Sequence, residues 1–309
     1  MSGADLRSAF DLRSNPPRFF AKLTHMRKSS VLRLIVAALL LGGVVAYTQQ
    51  GGPPASKLTT QKLADDLYVI HNDFVPGNTT ALITNEGVVL VDDKFPADHD
   101  NIMAELKKVT NQPVKYVVNT HHHFDHAGGN AAMQMAGAQI VSSEQARRYM
   151  VDLKQPGLTN VAFRDHMHIY LGGKNVELFY FGKSHTGGDI VAYFPDDRAI
   201  AMGDMFTFGD ATPQLIDYAG GGSAKEWTAT VNRALALNFD TVVPGHGVVT
   251  NKAELTKFRD STITLRNKVH EMLVAKNSRA DIEKMLRADF HFADLHVGAS
   301  LDGLMAELR

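Results

Sequence analysis

Imidazole and carboxylate groups crowd one stretch of this 309-residue chain, Thr120-His121-His122-His123-Phe124-Asp125-His126-Ala127-Gly128-Gly129. Together such groups suit zinc and other borderline metals. His121 and His123 stand two apart, so both can reach one ion from an extended loop. Asp125 and His126 fall at the turn into a following helix and must point elsewhere, which hints at a second ion. The apolar run from Val114 to Asn119 reads as a buried strand, and Asn130 to Ala136 reads as a helix. The donors therefore sit on a short loop at the carboxyl end of a strand, where open α/β sheets place their ligands.

The order His-x-His-x-Asp-His resembles the signature of the metallo-β-lactamase superfamily, and the resemblance continues along the chain. A further histidine follows a Gly/Ser step in Gly182-Lys183-Ser184-His185-Thr186-Gly187-Gly188-Asp189. Strand-end aspartates stand in Val89-Leu90-Val91-Asp92 and in Ala199-Ile200-Ala201-Met202-Gly203-Asp204, and a last histidine in Val242-Val243-Pro244-Gly245-His246-Gly247. One such motif is moderate support; five in order, over roughly residues 66 to 250, are strong.

The resemblance implies an α/β fold of the αββα sandwich type and a centre of two Zn2+ per chain, with iron or manganese left open. His121, His123 and His185 would hold the first ion, Asp125, His126 and His246 the second, and Asp204 would bridge them. Asp92 would stand behind the ligands and hold one histidine in its tautomer. Seven donors for two ions leave room for water and substrate, the condition for catalysis rather than structure. Water on zinc ionises near neutral pH, so the expected reaction is hydrolytic attack on a carbonyl, with Asp125 orienting the nucleophile or taking its proton. The expected substrate is a small ester, lactone, thioester or β-lactam.

Branches of the superfamily pull in different directions. The absence of cysteine removes a ligand used by two of the three β-lactamase subclasses. The remaining subclass shares the histidine set but not an aspartate at the Asp204 position, which draws the resemblance toward glyoxalase II-like thioesterases and lactonases. The lactonases carry a tyrosine soon after that aspartate; here Met205, Phe206, Thr207 and Phe208 follow. Two other readings are a mononuclear iron enzyme of the persulfide dioxygenase type and a non-catalytic metal-binding relic.

Composition narrows the rest. With no cysteine, disulfides, thiolate-bound zinc and a thiol nucleophile are excluded. Residues 1–46 hold seven Lys/Arg and two Asp/Glu, and the remaining 25 Lys/Arg and 31 Asp/Glu leave the body at a formal charge of -6. An acidic body opposes a nucleic-acid partner. The apolar run 34–46 follows Arg27, Lys28 and Arg33 and ends in Val44-Val45-Ala46. It is short for a membrane span and reads as a secretory signal peptide, with an uncleaved anchor as the alternative. The segment ahead of it is long for such a signal, and the expected true start is Met26. The expected location is periplasmic or secreted, with the membrane touched only through an uncleaved N-terminus.

The elements that must position the donors follow in order. Residues 47–57 read as a linker, 58–250 as the catalytic domain and 251–309 as helices packed on it. Strands are expected at 67–70, 80–83, 88–91, 114–120, 176–181, 190–194, 199–202 and 240–243. Helices are expected at 97–109, from the Ser142-Ser143-Glu144 start to about 153, and after Ser223-x-x-Glu226. Asn251 with Glu254 and Ser278 with Asp281 cap helices in the tail. Outside the motifs, His122 reads as packing or solvent, and His166, His168, His291 and His296 as structural. Phe74, Lys183, Tyr218 and the loop from Gly209 to Ser223 are candidates for lining the site.

Overall fold

Two β-sheets packed face to face, with helices on both outer faces, form the body of the protein. The computed structural model describes residues 53–73, 75–209 and 214–309. The signal-peptide and Met26 readings, most of the linker, and the reading of Phe74 lie outside the described residues.

The first sheet holds seven strands in sequence order: β1 Thr59–Lys62, β2 Leu67–His71, β3 Thr79–Ile83, β4 Val88–Val91, β5 Val114–Val118, β6 Gln139–Ser143 and β7 Val161–Phe163. Strands β1 to β4 run antiparallel to their neighbours, and β4 to β7 run parallel. The second sheet comprises β8 His166–Leu171, β9 Lys174–Phe179, β10 Val191–Phe194, β11 Ala199–Ala201, β12 Thr241–Val243 and β13 Thr250–Asn251, ordered 13-12-11-10-9-8. Only β11 and β12 pair in parallel there. Parallel neighbours need a crossover, which is why helices separate these strands in sequence.

Those helices are α1 His99–Lys107, α2 Phe124–Ala127, α3 Asn130–Met135, α4 Glu144–Asp152 and α5 Ala224–Leu235. Three more close the chain: α6 Lys252–Val274, α7 Arg279–Phe290 and α8 Asp294–Glu307. Caps foreseen from sequence form: Ser143 accepts from Ala146 N–H, Ser223 from Glu226 N–H, and Asn251 from Ala253 and Glu254 N–H. Ser278 and Asp281 make a reciprocal capping box.

Three apolar layers follow from the alternation of side chains along strands. Leu67, Val69, Val89, Val118 and Val141 meet Val176, Leu178, Ala192 and Phe194 between the sheets. On the far side of the first sheet, Ile70, Leu90, Val117 and Ile140 pack against Ile102 and Leu106 of α1 and Met133 of α3. On the far side of the second, Val191, Ile200 and Val242 meet Trp227 and Val231 of α5 and the closing helices through Leu265, Leu286 and Leu301. Both faces of β4, β10 and β11 are thus covered, and every one of their residues is buried. The fold is the αββα sandwich with a C-terminal helical extension.

The structure adds strands to the sequence expectations. β1, β6, β7, β8 and β13 had no counterpart there, and the helix expected over 97–109 begins as a 3-10 turn at Pro96–Asp98 and ends at Lys107. Pro96 fixes its own φ and favours this tight opening turn.

Candidate metal centre

Four strand ends converge at one rim of the sandwich. Asp92 follows β4, His121 and His123 follow β5, Asp204 follows β11 and His246 follows β12. Each pair is parallel, so both members of a pair deliver their carboxyl ends to the same side. Two close contacts fix the turn that carries Asp204. Gly203 sits at φ +50°, and a Cβ on it would lie 2.2 Å from Thr120 Oγ1, so the turn carrying Asp204 can press against the histidine loop only without a side chain. The indole N–H of buried Trp227 donates to Met205 O at 2.9 Å and pins the same turn from the helical side.

All seven donors named from sequence lie together, in two adjoining groups. Single ligand atoms from His121, His123, His185 and Asp204 lie within 4.8 Å of one another, as do those from Asp125, His126 and His246. Asp204 touches both groups: Oδ2 is 3.6 Å from His185 Nε2, and Oδ1 is 3.2 Å from His126 Nε2 and 3.3 Å from His246 Nε2. Asp125 Oδ2 stands 3.3 Å from His246 Nε2.

The far side of each ring fixes what the near side can do. His185 Nδ1 lies 2.6 Å from Leu215 O, which can only accept, so the ring proton is on Nδ1. His123 Nε2 donates to Asp217 at 2.9 Å, and His126 Nδ1 donates to Asp92 Oδ2 at 2.8 Å. Thr120 Oγ1 donates to Asp92 Oδ2 at 2.7 Å and so accepts from His121 Nδ1 at 3.1 Å. In their neutral forms these four imidazoles all turn lone pairs inward.

That arrangement fits a cation and little else. His121 Nε2 is fully buried and has no hydrogen-bond partner. His185 Nε2 and His123 Nδ1 are 3.0 Å apart, both with lone pairs inward, and His126 Nε2 is 3.2 Å from His246 Nε2. Buried polar atoms without partners cost about 1–3 kcal/mol each, and a shared positive ion removes the cost. The donor set of five imidazoles and two carboxylates matches zinc chemistry.

Electrostatics set His121 apart from the second group. Burial, and then the neighbouring histidines, hold the pKa of His121 well below its usual value. Burial opposes charge on His246 too, but Asp204 and Asp125 outweigh it and lift its pKa to about 10. His126 is raised well above normal by Asp204, Asp125 and Asp92, again against burial. Burial would raise the Asp125 carboxyl, yet His126 and His246 bring it down to about 2.

Residues outside the motifs complete the support. Asp217 was not foreseen; its partner His123 lies 94 positions away, and no spacing marks it. Its Oδ1 also accepts from Gly220 N–H at 2.9 Å. Asn78 Nδ2 donates to Pro244 O and Gly247 O, both at 2.9 Å, and so clasps the loop bearing His246. Buried Lys94 donates to Gly77 O and Asn72 Oδ1 beneath the neighbouring turn, and burial pulls its pKa down to about 7. A Cβ on Gly77 would fall 2.2 Å from His126 Cε1, so that turn seats directly on the ring. Asp189 gathers Ser184 Oγ and the Thr186 N–H and hydroxyl, shaping the loop around His185.

The weaker candidates separate. His122 is buried and stacks on Tyr149, with ring centroids 4.7 Å apart. Tyr218 does not face the centre with its hydroxyl, which donates to Glu307 Oε2 at 2.7 Å; the loop around it is held by the tail instead. Ser223 Oγ also donates to Glu307, and Ile216 N–H donates to Ser300 Oγ at 3.0 Å. Helix α8 therefore braces the loop that supplies Leu215 O and Asp217. Lys183 pairs with Glu226 at 3.7 Å.

Comparison with known proteins agrees with this geometry. The model of the metallo-beta-lactamase superfamily matches residues 72–246, more than half of the chain. A metallo-beta-lactamase type 2 of Elizabethkingia meningoseptica is 28% identical over 221 residues, covering 69% of this chain and 86% of that one. The 2,4-dinitroanisole O-demethylase subunit alpha of a Nocardioides strain is 27% identical over 194 residues, covering 61% of this chain and 57% of its own. Among solved structures, a metallo-beta-lactamase from Pontibacter korlensis shares the fold at a TM-score of 0.60 and 23% identity, covering 67% of this chain and 99% of that one. The chain belongs to the metallo-beta-lactamase superfamily of metal-dependent hydrolases.

Proposed function

We propose that the protein is a dinuclear zinc hydrolase acting on a carbonyl of a small ester, lactone, thioester or β-lactam. One observation carries the reading: four imidazoles with fixed tautomers, joined by His246, Asp125 and Asp204, aim their free donor atoms at two adjoining points. Two zinc ions held there would supply Lewis acidity and a water ionised near neutral pH.

The chain's own groups do the rest. Asp204 lies between the groups and would fix their spacing, so that one electrophilic face is presented to substrate. Asp92, Asp217, Thr120 and Leu215 O hold the rings in place and in the right tautomer, so little reorganisation is needed when charge develops. Asp125, ionised at neutral pH and about a quarter exposed, would orient the attacking water and accept its proton at Oδ2. The Elizabethkingia relative favours the β-lactam among the candidate substrates, while the demethylase named for dinitroanisole shows why the others stay on the panel. The basic-then-apolar pattern of the first 46 residues supports export to the periplasm or beyond.

Turnover of nitrocefin, a lactone and a thioester by the zinc-loaded chain tests this reading. Hydrolysis of at least one, abolished by a chelator and restored by zinc, is the expected result. Full metal loading with no hydrolysis of any of them would refute it.

A further inference from the structure

A second cluster of metal-binding side chains lies away from this centre, on the free edge of the second sheet. Strands β8 and β9 form a hairpin through Gly172-Gly173, both at positive φ, and among the described residues β8 has no neighbour on its other side. Their register pairs His166 with Phe179, His168 with Glu177 and Tyr170 with Asn175. Alternation sends Ile169, Val176 and Leu178 into the core between the sheets, so His166, His168 and Glu177 share the opposite, solvent-facing side.

One nitrogen from each ring and one Glu177 oxygen lie within 4.8 Å of one another. His166 Nε2 is 3.6 Å from Glu177 Oε2, close to the roughly 3.3 Å that separates two ligands around a tetrahedral zinc at normal bond lengths. The rings are also held. His166 stacks on Phe179 at 4.3 Å and 6°, and Phe179 stacks on Phe181. His168 stacks on Tyr170 at 5.5 Å and 5°.

A short relay fixes the tautomer of His168. Asn175 Nδ2 donates to Glu177 Oε1 at 3.2 Å, which leaves Asn175 Oδ1 to accept from His168 Nδ1 at 3.1 Å. The lone pair of His168 is then on Nε2. This is how proteins prepare a histidine for a metal, with an acceptor behind it.

We propose that His166, His168 and Glu177 form a surface site for a borderline divalent cation such as zinc, copper(II) or nickel, with water filling the remaining positions. None of the three belongs to the motifs that build the first centre. An ion there cross-links the outermost strand to its neighbour and places a charge on an edge that would otherwise be open to pairing with another chain.

The test is zinc uptake by the full-length protein in equilibrium dialysis, read as bound metal per chain. The wild type should bind one equivalent more than the double variant His166→Gln/His168→Gln, and Glu177→Gln should weaken that equivalent about tenfold or more. The extra equivalent should persist in His121→Ala/His246→Ala, which separates this site from the proposed active centre. Equal uptake by the wild type, the double variant and Glu177→Gln would overturn the proposal.

Discussion

The two halves of the candidate centre are built from nearly the same side chains, yet His121 in one and His126 and His246 in the other treat protons in opposite ways. Behind His123 stands the carboxylate of Asp217, and behind His121 and His185 stand a hydroxyl and a carbonyl. Around His126 and His246, three carboxylates gather: Asp92, Asp125 and Asp204. Burial wins at His121 and keeps it neutral, while carboxylates win at His126 and His246 and favour the protonated ring in the metal-free protein. Metal must therefore displace protons from the second group, and it meets less competition at His121. His121 is thus ready for an ion, whereas His126 and His246, and also His123, which Asp217 raises against burial, must give up a proton first.

The sharpest way to break this contrast is to remove the group common to both halves. Asp204→Ala should lose both ions and lower turnover by about a thousandfold or more, since several kcal/mol of charge stabilisation go with it. Metal analysis alongside kinetics checks it; an active variant with two ions would mean that Asp204 does not join the halves.

Asp92→Ala comes next. Asp92 holds His126 directly and His121 through Thr120, so metal affinity should fall by about ten- to a hundredfold at both positions. Competition with a chromophoric chelator measures both constants. An effect confined to one position would remove Thr120 from the relay.

The pH dependence follows from the signs above. His246, with a pKa near 10 in the metal-free state, and His126, also raised, must release their protons to bind, so affinity at the second group should rise by about tenfold per pH unit for each proton displaced, approaching a hundredfold where both rings are charged. The group built on His121 should change less over the same range, because burial keeps His121 neutral, although Asp217 raises His123 against burial. Zinc affinities at pH 6, 7 and 8 decide it, and equal slopes would dissolve the distinction between the halves.

Asp217→Asn should have the smallest effect, about tenfold on the His121 group alone, because the amide oxygen can still accept from His123 Nε2. Loss of metal from both groups would show that Asp217 acts through the loop rather than through His123.

Much of this was legible in the sequence because the donors cluster at strand ends. The run Val114–Val118 and the strands before Asp92, Asp204 and His246 are short, mostly apolar and bounded within two residues by Gly, Pro, Asn or Asp, which is what buried parallel strands look like. The caps at Ser223, Asn251 and Ser278 were equally plain, since they are local. What escaped was non-local or ambiguous. β6 ends in Ser142 and Ser143, and the helix-start signal of Ser143 masked the strand before it. β8 alternates as a strand should, but its polar positions are two histidines and a tyrosine, which hid the period. Asp217 and Asn78 meet their partners only after the sheets close, so no spacing could have revealed them.

The most direct measurement is metal content and ligation of the active, purified protein, by elemental analysis with zinc X-ray absorption. Two zinc ions per chain at the centre, with imidazole-rich ligation and a short metal–metal distance, are the expected result. A single iron at full activity, or activity that survives complete removal of metal, would contradict the account.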